Sequence, residues 1–194
     1  MERQESEVPS SMKESLLPGI QHELRFRVPP SKTVPALYPE ATEFQAMPAV
    51  FATGFLVGLL EWACIQAVNP HLDWPREQTV GTHVNVSHEA ATPPGLEVTV
   101  RVNLTKVEGR RLVFEVEASD GVDIVSRGTH ERFVIDAERF AQKTARKGGE
   151  SGQLTDRPGG MTVDQARLLR KVGELLPPTM TRGEGALKRS LGIP

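Results

Sequence analysis

Val50-Phe51-Ala52-Thr53-Gly54-Phe55-Leu56-Val57-Gly58-Leu59-Leu60-Glu61-Trp62-Ala63-Cys64-Ile65 is the most apolar stretch of the chain. The run over about residues 50–68 is long enough for one buried helix, and Pro70 lies just past its end, where helices commonly stop. It is apolar nearly all round, so such a helix calls for other structure around it. One carboxylate, Glu61, stands inside it. Burying an unpaired charge costs several kcal/mol or forces a pKa shift, so Glu61 is paired, protonated or put to use unless it lies on a wet side of the helix.

Working outward, residues 22–28 alternate, with Leu24, Phe26 and Val28 on one face, and read as a strand closed by Pro29-Pro30. Residues 33–48 carry Pro35, Pro39 and Pro48 and read as loop and short turns. After a short linker over residues 71–78, the chain reads as strands joined by turns up to residue 134. Val80, Val84 and Val86 mark the first. Leu96, Val98, Val100, Val102 and Leu104 alternate in the second, and Glu108-Gly109 turns it into Leu112, Phe114, Val116 and Ala118. Asp120-Gly121 turns again into a long strand over residues 122–134, with Ile124, Ser126, Gly128, His130 and Arg132 on one face. A strand, a buried helix and four antiparallel strands predict an α+β domain in which one sheet wraps one long central helix, the hot-dog architecture, with sheet edges free to pair with a second copy.

The 194 residues suffice for one domain plus appendages. Residues 1–17 are charged and without periodicity and read as a disordered extension; residues 18–140 read as the domain. Residues 141–194 read as a basic, flexible tail. Lys143, Arg146 and Lys147 lead into Gly148-Gly149-Glu150-Ser151-Gly152, a linker signature, and one short helix over about 162–176 opens on Thr162-Val163-Asp164-Gln165. From residue 137 onward there are 11 Lys+Arg against 6 Asp+Glu, whereas the whole chain has a net charge of −2. Nucleic acid is therefore not the default partner. A single cysteine, Cys64, and an acidic, polar N-terminus fit a reducing, cytoplasmic setting, and the apolar run is too short to span a bilayer.

Three polar residues stand in or beside the apolar core. Thr53 and Glu61 share the helix, eight residues apart and so about two turns apart and roughly 80° round its axis. Thr53 precedes Gly54 near the helix start, where it serves either as a plain N-cap or as part of an oxygen-binding site. His88 ends the strand that carries Val84 and Val86 and shares their face. A lone strand-end histidine is more often structural, but a buried carboxylate needs a partner, and histidine shuttles protons near neutral pH. The five histidines show no metal-ligand spacing, and no nucleophile elbow, phosphate loop or dinucleotide fingerprint is present.

The central run, together with Lys32-Thr33-Val34, Leu37-Tyr38-Pro39-Glu40, Ala90-Ala91-Thr92-Pro93-Pro94-Gly95-Leu96, Val107-Glu108-Gly109-Arg110-Arg111-Leu112 and Gly128-Thr129-His130-Glu131-Arg132, resembles the fluoroacetyl-CoA thioesterase family of hot-dog enzymes over about residues 28–140. The resemblance implies a dimer, hydrolysis of a short-chain acyl-CoA, and a catalytic triad of Thr53, Glu61 and His88. It also implies substrate contacts from Gly81 and Arg132, and no cofactor beyond the CoA of the substrate. Phe44 matches a lid phenylalanine, whereas Met47 stands where the fluoroacetyl-specific member has an aromatic lid residue. Met47 can still cover an acyl pocket, without the rigid aromatic edge. Two other functions compete. A non-hydrolytic acyl-CoA binding or sensing module would use the same pocket. A hot-dog hydratase would place its carboxylate and histidine close together in sequence, whereas Glu61 and His88 lie far apart.

Overall fold

A computed structural model describes residues 12–155, with side chains through residue 148. The chain divides into two units, Met1–Phe140 and Ala141–Pro194. The first contains strands β1 (Gln21–Arg27), β2 (Glu77–Val86), β3 (Glu97–Glu108), β4 (Arg111–Ser119) and β5 (Ile124–Asp136), the one-turn helix α1 (Thr42–Gln45) and the long helix α2 (Thr53–Val68). The strands form one antiparallel sheet in the order β1-β3-β4-β5-β2. Helix α2 packs against β1, β2, β3 and β4. This is the α+β hot-dog arrangement, one sheet wrapped around one helix.

The core follows from two periodicities. Leu56, Leu59, Leu60, Ala63, Cys64, Ala67 and Val68 recur at helical spacing and are buried. They meet alternate residues of the sheet, among them Val98, Val100, Leu104, Leu112, Phe114 and Val134. The sheet covers one side of the helix only. Gly54, Gly58 and Trp62 remain exposed on the other, with Trp62 at 46%, so within one chain the all-round apolar helix is not surrounded as its sequence suggests. At the β3–β4 hairpin, Gly109 has φ +57°, which fits the first central position of a two-residue turn.

Strand β2 contains one irregularity that positions the site. Gly81 pairs with Arg132, but His83 pairs with Glu131, so Thr82 is an extra residue between them. Before this bulge Thr79 and Gly81 face α2. After it the parity changes, and Val84, opposite the buried His130, and Val86, opposite Gly128, take the helix side. Strict alternation would set Gly81 and His88 on opposite faces; Thr82 gives both the same one.

Two boundary expectations change. Residues 12–17 are not part of a disordered extension. Leu16 is buried in the core, the Lys13 N–H donates to the His71 carbonyl, and Ser15 Oγ lies 2.9 Å from His71 Nδ1. The linker expected at residues 148–152 lies within helix α3 (Ala137–Thr155). Ala, Glu, Gln, Lys and Arg are strong helix formers, and Asp136 Oδ1 accepts the Arg139 N–H as an N-cap, which outweighs the roughly 1 kcal/mol penalty of each glycine. The helix expected over 162–176 falls outside the described residues, as do residues 1–11.

Candidate active site

The start of α2 is stitched to the segment after β2. The Phe51 N–H donates to the Thr92 carbonyl, and the Ala52 N–H to the Lys32 carbonyl. Thr53 is the first residue of the helix, Ala52 occupies the cap position, and no side chain caps it. The Thr53 hydroxyl therefore is not a plain N-cap. It lies 2.8 Å from His88 Nδ1. Burial draws the His88 pKa below its ordinary value, partly offset by the Ala90 backbone, so the ring favours its neutral form. Its Nε2 is buried without a hydrogen-bond partner.

Glu61 sits two turns along α2 in a second cluster. Arg132 Nη1 lies 3.4 Å and His130 Nε2 3.5 Å from Glu61 Oε1. Arg132 is itself locked in place: Nε donates to Thr79 Oγ1 at 2.9 Å and Nη2 to the Thr79 carbonyl at 2.8 Å. Burial lowers the Arg132 pKa, and the carboxylate of Glu61 opposes that shift. The thiol of Cys64 beside them is pushed up to about 12 by burial, which leaves it protonated and inert. A Cβ on Gly81 would land on Glu61 Oε1, so the absent side chain is what admits the carboxylate to this cradle. The Glu61 side chain remains 37% exposed: the acid is half-buried rather than enclosed.

Within one chain the structure thus joins Thr53 to His88, and Glu61 to Gly81 and Arg132. Among the described residues no hydrogen bond or ion pair links the two groups, and the eight-residue spacing separates them by about 12 Å along the helix. The imidazole next to Glu61 is His130, not His88. Neither of two hollows, about 360 Å³ beside Phe55 and Trp62 and about 660 Å³ on the outer sheet face near Arg101, is lined by Thr53, Glu61 or His88. Phe44 and Met47 lie on α1 and the turn after it; Phe44 stacks on Tyr38 with centroids 5.7 Å apart, and Met47 is exposed. His130 and Thr79 are the site residues that the sequence reading missed. Strand parity had put His130 on the same face as Arg132, and that was the usable signal. No three His, Cys, Asp or Glu side chains converge on a metal-sized site among the described residues. None of the described helices is long and apolar enough to cross a membrane.

A family model for fluoroacetyl-CoA-specific thioesterase matches residues 34–138. A fluoroacetyl-CoA thioesterase of Streptantibioticus cattleyicolor is 54% identical over 136 residues, spanning 70% of this chain and 97% of that protein. A solved structure of a fluoroacetyl-CoA thioesterase is 55% identical, covers 66% of this chain and 95% of its own, and superposes with a TM-score of 0.65. A thioesterase superfamily member of Thermus thermophilus is 25% identical, covers 69% of this chain and 93% of its own, and has a TM-score of 0.61. By this match, across more than half its length and with a relative covered almost end to end, the chain belongs to the fluoroacetyl-CoA-specific thioesterase family.

Proposed function

We propose that this protein hydrolyses short-chain acyl-CoA thioesters to the free acid and CoA, acting as a homodimer through Thr53, Glu61 and His88. The observation that carries the reading is the Glu61 carboxylate, held by Arg132 in a cradle that Gly81 keeps open, on the same helix as a Thr53–His88 pair. A thioester needs its carbonyl polarised, an oxygen delivered to the acyl carbon and a proton for the departing sulfur. The Gly81 N–H and the Thr53 hydroxyl are the donors toward the carbonyl oxygen. Glu61 either attacks the acyl carbon, giving an anhydride that water then opens, or deprotonates the water that attacks. In both routes the C–S bond breaks, a C–O bond forms, and His88 handles the proton that ends on the thiolate. The reaction asks for no metal and no cofactor beyond the CoA of the substrate.

The same geometry supports a dimer. The two groups lie too far apart on one helix to hold one carbonyl, so the second copy supplies the missing half. Strand β2 is an edge strand next to the site, with Val84 41% exposed on the helix side. The unpartnered His88 Nε2 is consistent with a site completed by substrate and partner. We place the protein in the cytoplasm, where a lone buried thiol such as Cys64 stays reduced.

The test is free-thiol release from a panel of acetyl-, fluoroacetyl-, propionyl- and butyryl-CoA. The panel is broad because Met47 replaces an aromatic lid residue. Turnover of at least one thioester, with Glu61→Gln and His88→Ala each losing about 10³-fold or more, supports the proposal. A Glu61→Gln chain that hydrolyses as fast as the parent contradicts it. Nothing in the site favours a purely binding role, since the polar groups that hydrolysis needs are all present.

A further inference from the structure

His130 is among the most buried polar side chains of the domain, at 1% exposure, yet the reaction outlined above gives it no part. Its two ring nitrogens have fixed partners. Nδ1 lies 2.9 Å from the His83 carbonyl, just after the bulge in β2, and Nε2 lies 3.0 Å from Arg132 Nη1. A carbonyl can only accept, so Nδ1 carries the hydrogen. A guanidinium can only donate, so Nε2 offers its lone pair. The ring is therefore neutral and in a single tautomer. A proton on Nε2 would set one donor against another at 3.0 Å, and the Glu61 carboxylate, 3.5 Å from Nε2, is the more distant partner, itself facing Arg132 Nη1 at 3.4 Å.

We propose that His130 is a positioning residue for Glu61: clamped between the His83 carbonyl and Arg132, it fixes the guanidinium that faces the Glu61 carboxylate. Thr79 holds the Nε and Nη2 side of Arg132, and His130 holds Nη1, the nitrogen nearest Glu61. The guanidinium thereby has no freedom to swing toward or away from the carboxylate. The charged and titratable groups around the ring are Arg132 and Glu131 of β5 and Glu61 of α2, with the protonated Cys64 of α2 beside Arg132 and Glu61. Burial, then the positive charge of Arg132, holds the His130 pKa below its ordinary value, against the pull of the His83 carbonyl and the two carboxylates. The ring thus favours its neutral form more than an exposed histidine does. This inference rests on Glu61 being the catalytic carboxylate.

Two measurements test it. In the unmodified full-length protein, nitrogen-15 NMR of the histidine rings should show His130 as the neutral Nδ1–H tautomer from pH 6 to 8. An imidazolium, or an Nε2–H ring, in that range overturns the proposal. In kinetics, His130→Phe keeps a ring but loses both hydrogen bonds, whereas His130→Gln keeps an acceptor and a donor. We expect His130→Phe to lose about 10²-fold in kcat with KM nearly unchanged, the scale of a small displacement of a reacting group. His130→Gln should recover most of that loss. Parental kcat in His130→Phe, or an equal loss of kcat in a folded His130→Gln, overturns the proposal. Should His130→Phe fail to fold, the tautomer and the Gln variant decide. Failure of the functional reading looks different: Glu61→Gln would then remain active, whatever the His130 variants do.

Discussion

Glu61 owes its place to what is missing at Gly81. Every residue other than glycine there would put a carbon on its carboxylate oxygen. Gly81→Ala should therefore cost about 10²-fold or more in kcat by displacing the acid; the added Cβ would meet the half-exposed Glu61 carboxylate first and also press on the buried His130 ring at 3.2 Å. A fully active Gly81→Ala enzyme would mean that the carboxylate is not needed where the structure has it. His88 makes a separate prediction. Its folded pKa lies below the ordinary 6.5, so the neutral ring persists on acidification. The titration of the His88 ring, followed by NMR in the parent protein, should have its midpoint below pH 6.5, and a midpoint above it contradicts the neutral Thr53–His88 pair. Stability has the same sign. The unfolded state takes up protons on His88 and His130 at a higher pH than the folded state does, so their contribution is intact above pH 6.5 and declines as pH falls through the folded values. A thermal-unfolding series from pH 7.5 to 5.5 checks this.

Among the elements, α2 and the bulge in β2 share the work. Leu60 is 2% exposed between helix and sheet, and Leu60→Ala should cost about 2–5 kcal/mol in chemical denaturation. The bulge makes a sharper prediction: deleting Thr82 restores strict alternation, turns either Gly81 or His88 to the wrong face, and should abolish hydrolysis even in chains that still fold. A deletion variant with parental turnover would show that the change of parity is irrelevant. These elements also show what the sequence could reveal. The helix was legible from its uninterrupted apolar run, and the long strands from period-two alternation, because both patterns are local. The bulge was not, since Gly81-Thr82-His83 has no composition that sets an extra residue apart from a regular strand. From the sequence alone, His88 is the imidazole that shares a face with Val84 and Val86 and so offers itself as a partner for Glu61. The imidazole beside it is His130, brought there by the β2–β5 register, a contact between residues far apart in sequence. The start of α3 carried a readable signal in Asp136-Ala137-Glu138-Arg139, which the glycines after it masked.

At the scale of the molecule, Thr53 with His88 and Glu61 with Arg132 form two groups that one chain holds apart, and in the proposed homodimer a second chain joins them on one thioester. A two-fold dimer contains two such sites, each taking Glu61 from one copy and the Thr53–His88 pair from the other. Glu61→Gln and His88→Ala chains, each inactive alone, can be unfolded together, refolded as a mixture and assayed for thiol release. Random pairing restores one intact site in every mixed dimer, and the account predicts about one quarter of the parental activity. A mixture as inactive as its two components, with mixed dimers demonstrated by mass, would contradict it.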